Sequence, residues 1–304
     1  MPSRPPSPPS TTGGLAALAA FLCWGLLPVY WKALGMVPAL ELLCHRIAWS
    51  LLFLGLVLTT TGRMAEVYSA LKSPRIMLPL TISSALISIN WFTYIWAVNS
   101  GHVVESSLGY YINPLVNVIL GFIFFKDRLR PLQMLAILLA LAGVINLIVA
   151  YGHFPWIALT LAFSFGFYGL VRKIVHVESA PGLFLETLIL GLPAAAYLLH
   201  LWGQNTGALG AYGLQADALM VGAGAATALP LMAFAFGARR LSLVTLGVLQ
   251  YVAPTCMFLL GIFAYDETFT PAHMTTFLLI WAGIGLYTVD GVKRLRRASV
   301  RQTG

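Results

Sequence analysis

The sequence predicts an all-α membrane protein, with ten transmembrane helices as two inverted five-helix repeats. Three observations predict it. The first is where the positive charges fall. Sixteen of the eighteen Lys and Arg residues lie in every second gap between apolar stretches. Arg4 precedes the first stretch, and Lys293, Arg294, Arg296, Arg297 and Arg301 follow the last. Between them, alternate gaps hold Arg63, Lys72 and Arg75, then Lys126, Arg128 and Arg130, then Arg172 and Lys173, then Arg239 and Arg240. Short loops rich in Lys and Arg stay cytoplasmic, so the alternation counts ten crossings and puts both termini inside. The second observation is composition. Of 304 residues, 59% are hydrophobic and 9% charged, against about 25% charged in a soluble domain. Lipid is therefore the solvent.

The third observation is an internal repeat. A shift of 140 residues carries Tyr111, Pro114, Gly121, Pro131 and Gly143 onto Tyr251, Pro254, Gly261, Pro271 and Gly283, with Asp127 on Glu267. A shift of 141 carries Gly25 and Lys32 onto Gly166 and Lys173. Matches of Leu and Ala between apolar helices arise by chance, whereas Pro, Gly and Tyr in one frame carry weight. Five helices per half is an odd number, so the second half enters the membrane from the opposite face.

Each apolar run meets the roughly 20 residues that a crossing requires. The Pro-rich start, 1–12, is expected as a disordered cytoplasmic tail. The first span, 13–34, is too long to be a cleaved signal peptide. The second, 38–60, runs to the basic gap at Arg63; the third, 76–99, leaves it, and the fourth, 103–125, returns to Lys126. The fifth, 131–150, and sixth, 154–172, bring the chain to Arg172. The seventh, 181–200, and eighth, 217–238, flank the longest segment outside the membrane, which is Gly-rich. The ninth, 243–265, and tenth, 271–292, complete the set, and 293–304 is a basic cytoplasmic tail. The repeats are then 13–150 and 151–292.

The net charge of +8 belongs to the cytoplasmic rim facing anionic headgroups, not to nucleic acid. Cys23, Cys44 and Cys256 lie inside apolar runs without CxxC spacing and read as small buried hydrophobes. They imply no disulfide, metal or cofactor. Gly222-Ala223-Gly224 and Gly283-Ile284-Gly285 are followed by no Gly-Lys-Ser/Thr, which argues against ATP drive.

Two pseudo-symmetric halves can open a central site to each side in turn, so the repeat points to a secondary transporter of a small molecule. The alternatives are a membrane-embedded enzyme using Glu41, His45 and Arg46, or a channel or sensor. No HExxH or Ser-His-acid set accompanies those three residues, and the reading is not an enzyme. Oligomeric state is left open.

Polar residues inside apolar helices mark the candidate site. Glu41, His45 and Arg46 stand near the outer end of the second span, and Arg46 must face the bundle interior. They suit an anionic substrate group or proton coupling, with His45 titrating near neutral pH; a structural ion pair is the plain alternative. Tyr110, Asn113 and Asn117 lie near the middle of the fourth span. Pro114 leaves the Tyr110 carbonyl without its donor, and Pro254 does the same to Gln250, so the two prolines are candidate hinges. Trp24, Asn90, Trp91, Tyr94, Phe163, Phe167, Tyr168 and Tyr251 are candidate walls of an aromatic cavity. Tyr30, Trp31 and Trp96 are assigned to the interfacial belt. Lys32, Glu105, Asp266 and Glu267 sit at helix ends, and Glu186 lies just inside the seventh span.

Five strings carry a family resemblance: Ala20-Phe21-Leu22-Cys23-Trp24-Gly25, His45-Arg46-Ile47-Ala48-Trp49-Ser50, Trp96-Ala97-Val98-Asn99, the run from Glu105 to Asn117, and that from Phe163 to Lys173. The sequence resembles the EamA group of the drug/metabolite transporter superfamily over nearly its whole length. That resemblance implies two five-helix EamA repeats in a bacterial inner membrane. It also implies a permease or exporter role toward chloramphenicol-related or amino-acid-like substrates.

Overall fold

Backbone amides in hydrocarbon find hydrogen-bond partners only in one another, so apolar runs there close into helices. The computed structural model describes residues 11–125, 131–151, 154–238, 240–241 and 249–303. Among these residues the chain is helical and holds no strand. The helices are α1 (Thr11–Lys32), α2 (Ala39–Thr60), α3 (Met64–Leu71), α4 (Pro74–Asn99), α5 (Val103–Phe125) and α6 (Pro131–Tyr151). They continue with α7 (Trp156–Ile174), α8 (Ser179–Gly203), α9 (Leu214–Ala238), α10 (Val252–Leu259) and α11 (Pro271–Thr303). Proline opens α4, α6 and α11, where its missing N–H has no intrahelical acceptor to lose. Helices α1, α2, α4, α5, α6, α8, α9 and α11 are long and apolar enough to cross a membrane, and two shorter apolar stretches are Trp156–Arg172 and Val252–Ala264.

The most extensive helix interfaces are few. Helix α1 packs on α9 and α10, α7 on α4 and α5, α2 on α8 and α9, and α4 on α8; α5 meets α10, and α6 meets α11. Glycine sets the closest of these approaches. A Cβ on Gly25 would stand 2.6 Å from the Cβ of Cys256 on α10, and one on Gly166 would stand 2.7 Å from Cγ1 of Val116 on α5. Between α6 and α11, Gly143 faces the Thr276 carbonyl and Gly283 faces that of Ala136. Small residues of this kind let helices approach where lipid supplies no hydrophobic drive to bring them together.

Three features differ from the sequence expectation. The basic gap at 61–75 holds a short helix, α3, whose Val67 and Ala70 are buried in a cluster with Leu58, Leu80, Val175 and Leu185. Arg63, just before it, donates to both Glu66 oxygens at 2.7 and 2.8 Å. This bond holds the Arg63 guanidinium above its ordinary range and the Glu66 carboxyl below its own. Helix α10 does not end as an α-helix but as a π-turn, Leu260–Ala264. The carboxylate of Glu267, beyond that turn, accepts the Val103 and Val104 amides at 2.7 and 2.8 Å and so caps the free N-terminus of α5. Finally, α11 continues as helix to Thr303, through the expected tail. The tail at 1–12 and the start of the ninth span fall largely on 1–10 and 242–248, outside the described residues.

Candidate substrate site

An arginine in the hydrocarbon region costs about 2.5–3.5 kcal/mol on insertion scales, so its surroundings decide whether it stays. Arg46 is 5% exposed. Its Nε donates to Oγ1 of Thr227 on α9 at 2.9 Å. The Thr227 hydroxyl gives its own proton to the Ala223 carbonyl, also at 2.9 Å, which leaves its lone pairs for the arginine. The guanidinium carbon lies 4.1 Å from the Trp91 ring centroid and 5.1 Å from that of Trp31. Cation–π contacts contribute about 0.5–2 kcal/mol each, enough with the hydrogen bond to offset the insertion cost. Arg46 forms no ion pair with a described carboxylate.

Two phenols stand within electrostatic reach of this charge, Tyr94 and Tyr110. They meet edge to face with centroids 5.8 Å apart. The Tyr110 hydroxyl donates a long 3.4 Å bond to the Asn90 side-chain carbonyl. The Asn90 amide in turn donates to the Leu161 carbonyl at 3.0 Å and to the Ser164 hydroxyl at 3.1 Å. Arg46, Trp91, Tyr94, Tyr110 and Asn90, all singled out from the sequence, thus form one connected group on α2, α4 and α5, tied to α7 through Asn90.

The other candidates divide. Glu41 and His45 are buried beside Arg46 in sequence, but Glu41 is engaged elsewhere. One of its oxygens accepts the Ala208 amide at 2.5 Å and lies 3.8 Å from His45 Nε2. Glu41 therefore pins the segment after α8 onto the start of α2. Asn113 is buried, whereas Asn117 is exposed. Residues four apart differ by about 40° around a helix, and here the edge of the buried face falls between them. Phe167 is 36% exposed, and Phe163 is exposed as well. Trp24 packs with Phe21 and Phe234 at centroid distances of 5.5 Å, in a separate aromatic group. Tyr251 stacks on Tyr111.

The two prolines differ in setting. Helix α5 runs unbroken through position 114. Pro254 instead sits in the first turn of α10, with Gln250 in the turn before it. First-turn amides have no intrahelical acceptor, so Pro254 opens no gap in an established ladder.

One assignment is corrected, one residue is new and one gains a role. Trp31 does not belong to an interfacial belt: it is fully buried and faces Arg46. An aromatic residue near a helix end reads the same in either role. Thr227 gave no signal beyond being a hydroxyl within an Ala-rich run. Glu186 is a further buried charge, apart from Glu41 and Arg46. It is 0% exposed, accepts from Ser83 at 2.6 Å and from Tyr168 at 3.2 Å, and lies 3.8 Å from Arg172 Nη1. Tyr168 is therefore hydrogen-bonded into this second group, and it reaches Tyr110 of the first through the Phe165 ring.

Comparison with known proteins agrees with the helical, membrane-spanning architecture. Residues 11–149 match the EamA-like transporter family. The chain is 45% identical over 282 residues to an uncharacterized transporter of Vibrio cholerae, covering 92% of this chain and 93% of that protein. It is 43% identical over 285 residues to the protein RarD of Salmonella typhi, covering 94% and 97%. A crystal structure of another chain, 22% identical, shares the fold with a TM-score of 0.60 over 94% of this chain and 99% of that one. With relatives this similar along almost its whole length, the chain belongs to the RarD proteins of the EamA-like transporter family.

Proposed function

We propose that the chain is a secondary transporter of small metabolites or drugs working by alternating access. In this reading ten helices cross the bacterial inner membrane as two inverted five-helix repeats, with both termini cytoplasmic. Substrate meets the group around Arg46, Trp91, Tyr94, Tyr110 and Asn90, and α5 bends at Pro114. A proton is the candidate coupling ion.

The observation that carries this reading is a symmetry in the packing. Exchange α1 with α7, α2 with α8, α4 with α9, α5 with α10 and α6 with α11. The α1·α9 interface becomes α7·α4, α1·α10 becomes α7·α5, and α2·α9 becomes α8·α4; α2·α8, α5·α10 and α6·α11 return to themselves. All of these are interfaces the fold makes. The correspondence reaches single residues. Gly25 against Cys256 becomes Gly166 against Val116, and Gly143 against Thr276 becomes Gly283 against Ala136, at the same 140- or 141-residue offsets found in the sequence. Two halves that exchange roles in this way supply two mirror-related conformations of nearly equal energy, which alternating access requires.

The test needs no substrate. In a variant lacking Cys23, Cys44 and Cys256, a single cysteine at Thr227 is offered to a membrane-impermeant maleimide in right-side-out and in inverted vesicles. Labelling from both faces, with a cross-link at one face abolishing labelling from that face alone, is the expected result. Labelling from one face under every condition would overturn the reading. Reporter fusions after residue 304 and within 204–213 should give opposite signals.

A further inference from the structure

Three of the buried polar atoms that lack a partner belong to Arg46 and to aromatic residues of its cluster, and all three can donate. Arg46 Nη1, Trp31 Nε1 and Tyr94 Oη have no hydrogen-bond partner among the described residues. The first two can only donate, and the third is a hydroxyl able to donate. All three side chains are more than nine-tenths buried, and they come from three helices, α2, α1 and α4. Thr227 occupies Nε of the guanidinium, and the indoles of Trp31 and Trp91 lie close to it. Glu41, the nearest acid in sequence, is engaged by Ala208 and His45.

Chemistry narrows what answers such a site. A guanidinium is a planar fork matched to the two oxygens of a carboxylate. A doubly charged phosphate ester calls for a second cation, and Lys32 is held over the Tyr265 ring at 3.7 Å. A neutral ligand leaves the buried positive charge unanswered. We propose that Arg46, Trp31 and Tyr94 form the subsite for the carboxylate of a small organic acid, whose flat body rests against Trp91 and Tyr110. This assignment of substrate class rests on the carrier reading above.

The probe is tritiated hippurate, an aromatic ring carrying one carboxylate on a short stem, bound to the full-length protein in dodecyl maltoside at neutral pH. Saturable binding is expected, weakened at least about tenfold in Arg46→Gln and less in Arg46→Lys, which keeps the charge but loses the fork. Tyr94→Phe and Trp31→Phe remove single donors and leave the charge in place, so they test the subsite even if Arg46→Gln does not purify as a monodisperse protein; each should weaken binding several-fold. Hippuramide and chloramphenicol, both neutral, should compete at least about tenfold more weakly than unlabelled hippurate. Equal competition by either of them or by inorganic phosphate, unchanged binding in a folded Arg46→Gln protein, or no saturable binding would overturn the proposal. Hippurate counterflow in sealed proteoliposomes separates the two levels. Binding without exchange keeps the subsite and sinks the carrier; two-sided labelling at Thr227→Cys without hippurate binding keeps the carrier and sinks the subsite.

Discussion

Tyr111 and Tyr251 stack nearly parallel, with ring centroids 6.3 Å apart and planes 18° from one another. They are also 140 positions apart, the offset of the repeat. Two equivalent residues touch only where the axis relating the halves passes between them, so the proposed pseudo-two-fold axis runs through the α5·α10 interface. The tyrosines are not equally bonded: the Tyr111 hydroxyl meets Thr255 Oγ1 at 2.7 Å, whereas the Tyr251 hydroxyl has no partner among the described residues. The contact is symmetric in packing and asymmetric in polarity.

The glycine contacts that flank this axis should resist enlargement. Gly25→Ala puts a methyl 2.9 Å from the Ala253 carbonyl oxygen as well as against Cys256, and Gly166→Ala puts one against Val116. Overpacking of this kind costs about 1–3 kcal/mol, so both variants should melt below the parent in detergent, Gly25→Ala by more because backbone stands in the way. Gly169, with nothing within 4 Å of its added Cβ, is the control and should not be destabilised by alanine. Equal midpoints for Gly25→Ala and Gly169→Ala would show that the α1·α10 seam yields without cost.

Glu186 is expected to be worth more as one member of a network than alone. Glu186→Gln leaves Arg172 without that carboxylate, and breaking a buried ion pair costs up to about 3–5 kcal/mol. The figure is smaller here, since the Arg172 side chain keeps 15% of its exposure. The double variant Glu186→Gln, Arg172→Gln should recover part of the loss. A double-mutant cycle on thermal midpoints gives the coupling; strict additivity would mean that the two groups do not sense each other.

The proline variants should differ from one another. Pro114→Ala restores a donor for the Tyr110 carbonyl within an unbroken helix, stiffens α5, and should shift cysteine labelling toward one face. Pro254→Ala acts in a first turn, where no helical bond was missing, and should leave labelling close to the parent. Matched and opposite shifts in both variants would instead make them paired hinges.

The start of α3 should loosen in acid. The Glu66 carboxyl is held below the ordinary carboxylate range by the hydrogen bond from Arg63. A lowered folded-state value means that this contact stabilises above the ordinary carboxylate range and is lost as pH falls through the lowered one. Glu66 is exposed and Arg63 only half-buried, so the effect is local: proteolytic cleavage within 61–73 should rise as pH drops, while the global melting midpoint stays put. Glu66→Gln should remove the pH dependence.

Much of this was legible because polarity is rare in such a chain. Arg46, Asn90, Tyr94 and Tyr110 stand out from apolar neighbours, and each must find company. What stayed hidden had no such contrast. Thr227 satisfies itself on the preceding turn and looks like any threonine in a helix. Trp31 and an interfacial tryptophan are identical in sequence. The exposure of Asn117 and Phe167 was not legible either, because an apolar helix has no polar face to set its rotation. The α3 helix and the π-turn are local responses to packing at loop ends, below the resolution of a hydropathy pattern.

Arg46 and Glu186 stand at the 140-residue offset, each about two turns into its helix, from Ala39 and Ser179 respectively. Each reaches across to the helix that the exchange assigns it, Arg46 to Thr227 on α9 and Glu186 to Ser83 on α4. The two halves are thus alike in shape but opposite in sign at this position. In the proposed inverted arrangement α2 and α8 cross in opposite directions, so the cation lies nearer one face and the anion nearer the other, a dipole along the membrane normal that Arg172 beside Glu186 partly offsets. A membrane voltage acts on such a dipole at about 2.3 kcal/mol per charge per 100 mV across the full thickness. On the proposed carrier reading, voltage biases which way the empty protein rests, and its reorientation displaces charge before any substrate is bound.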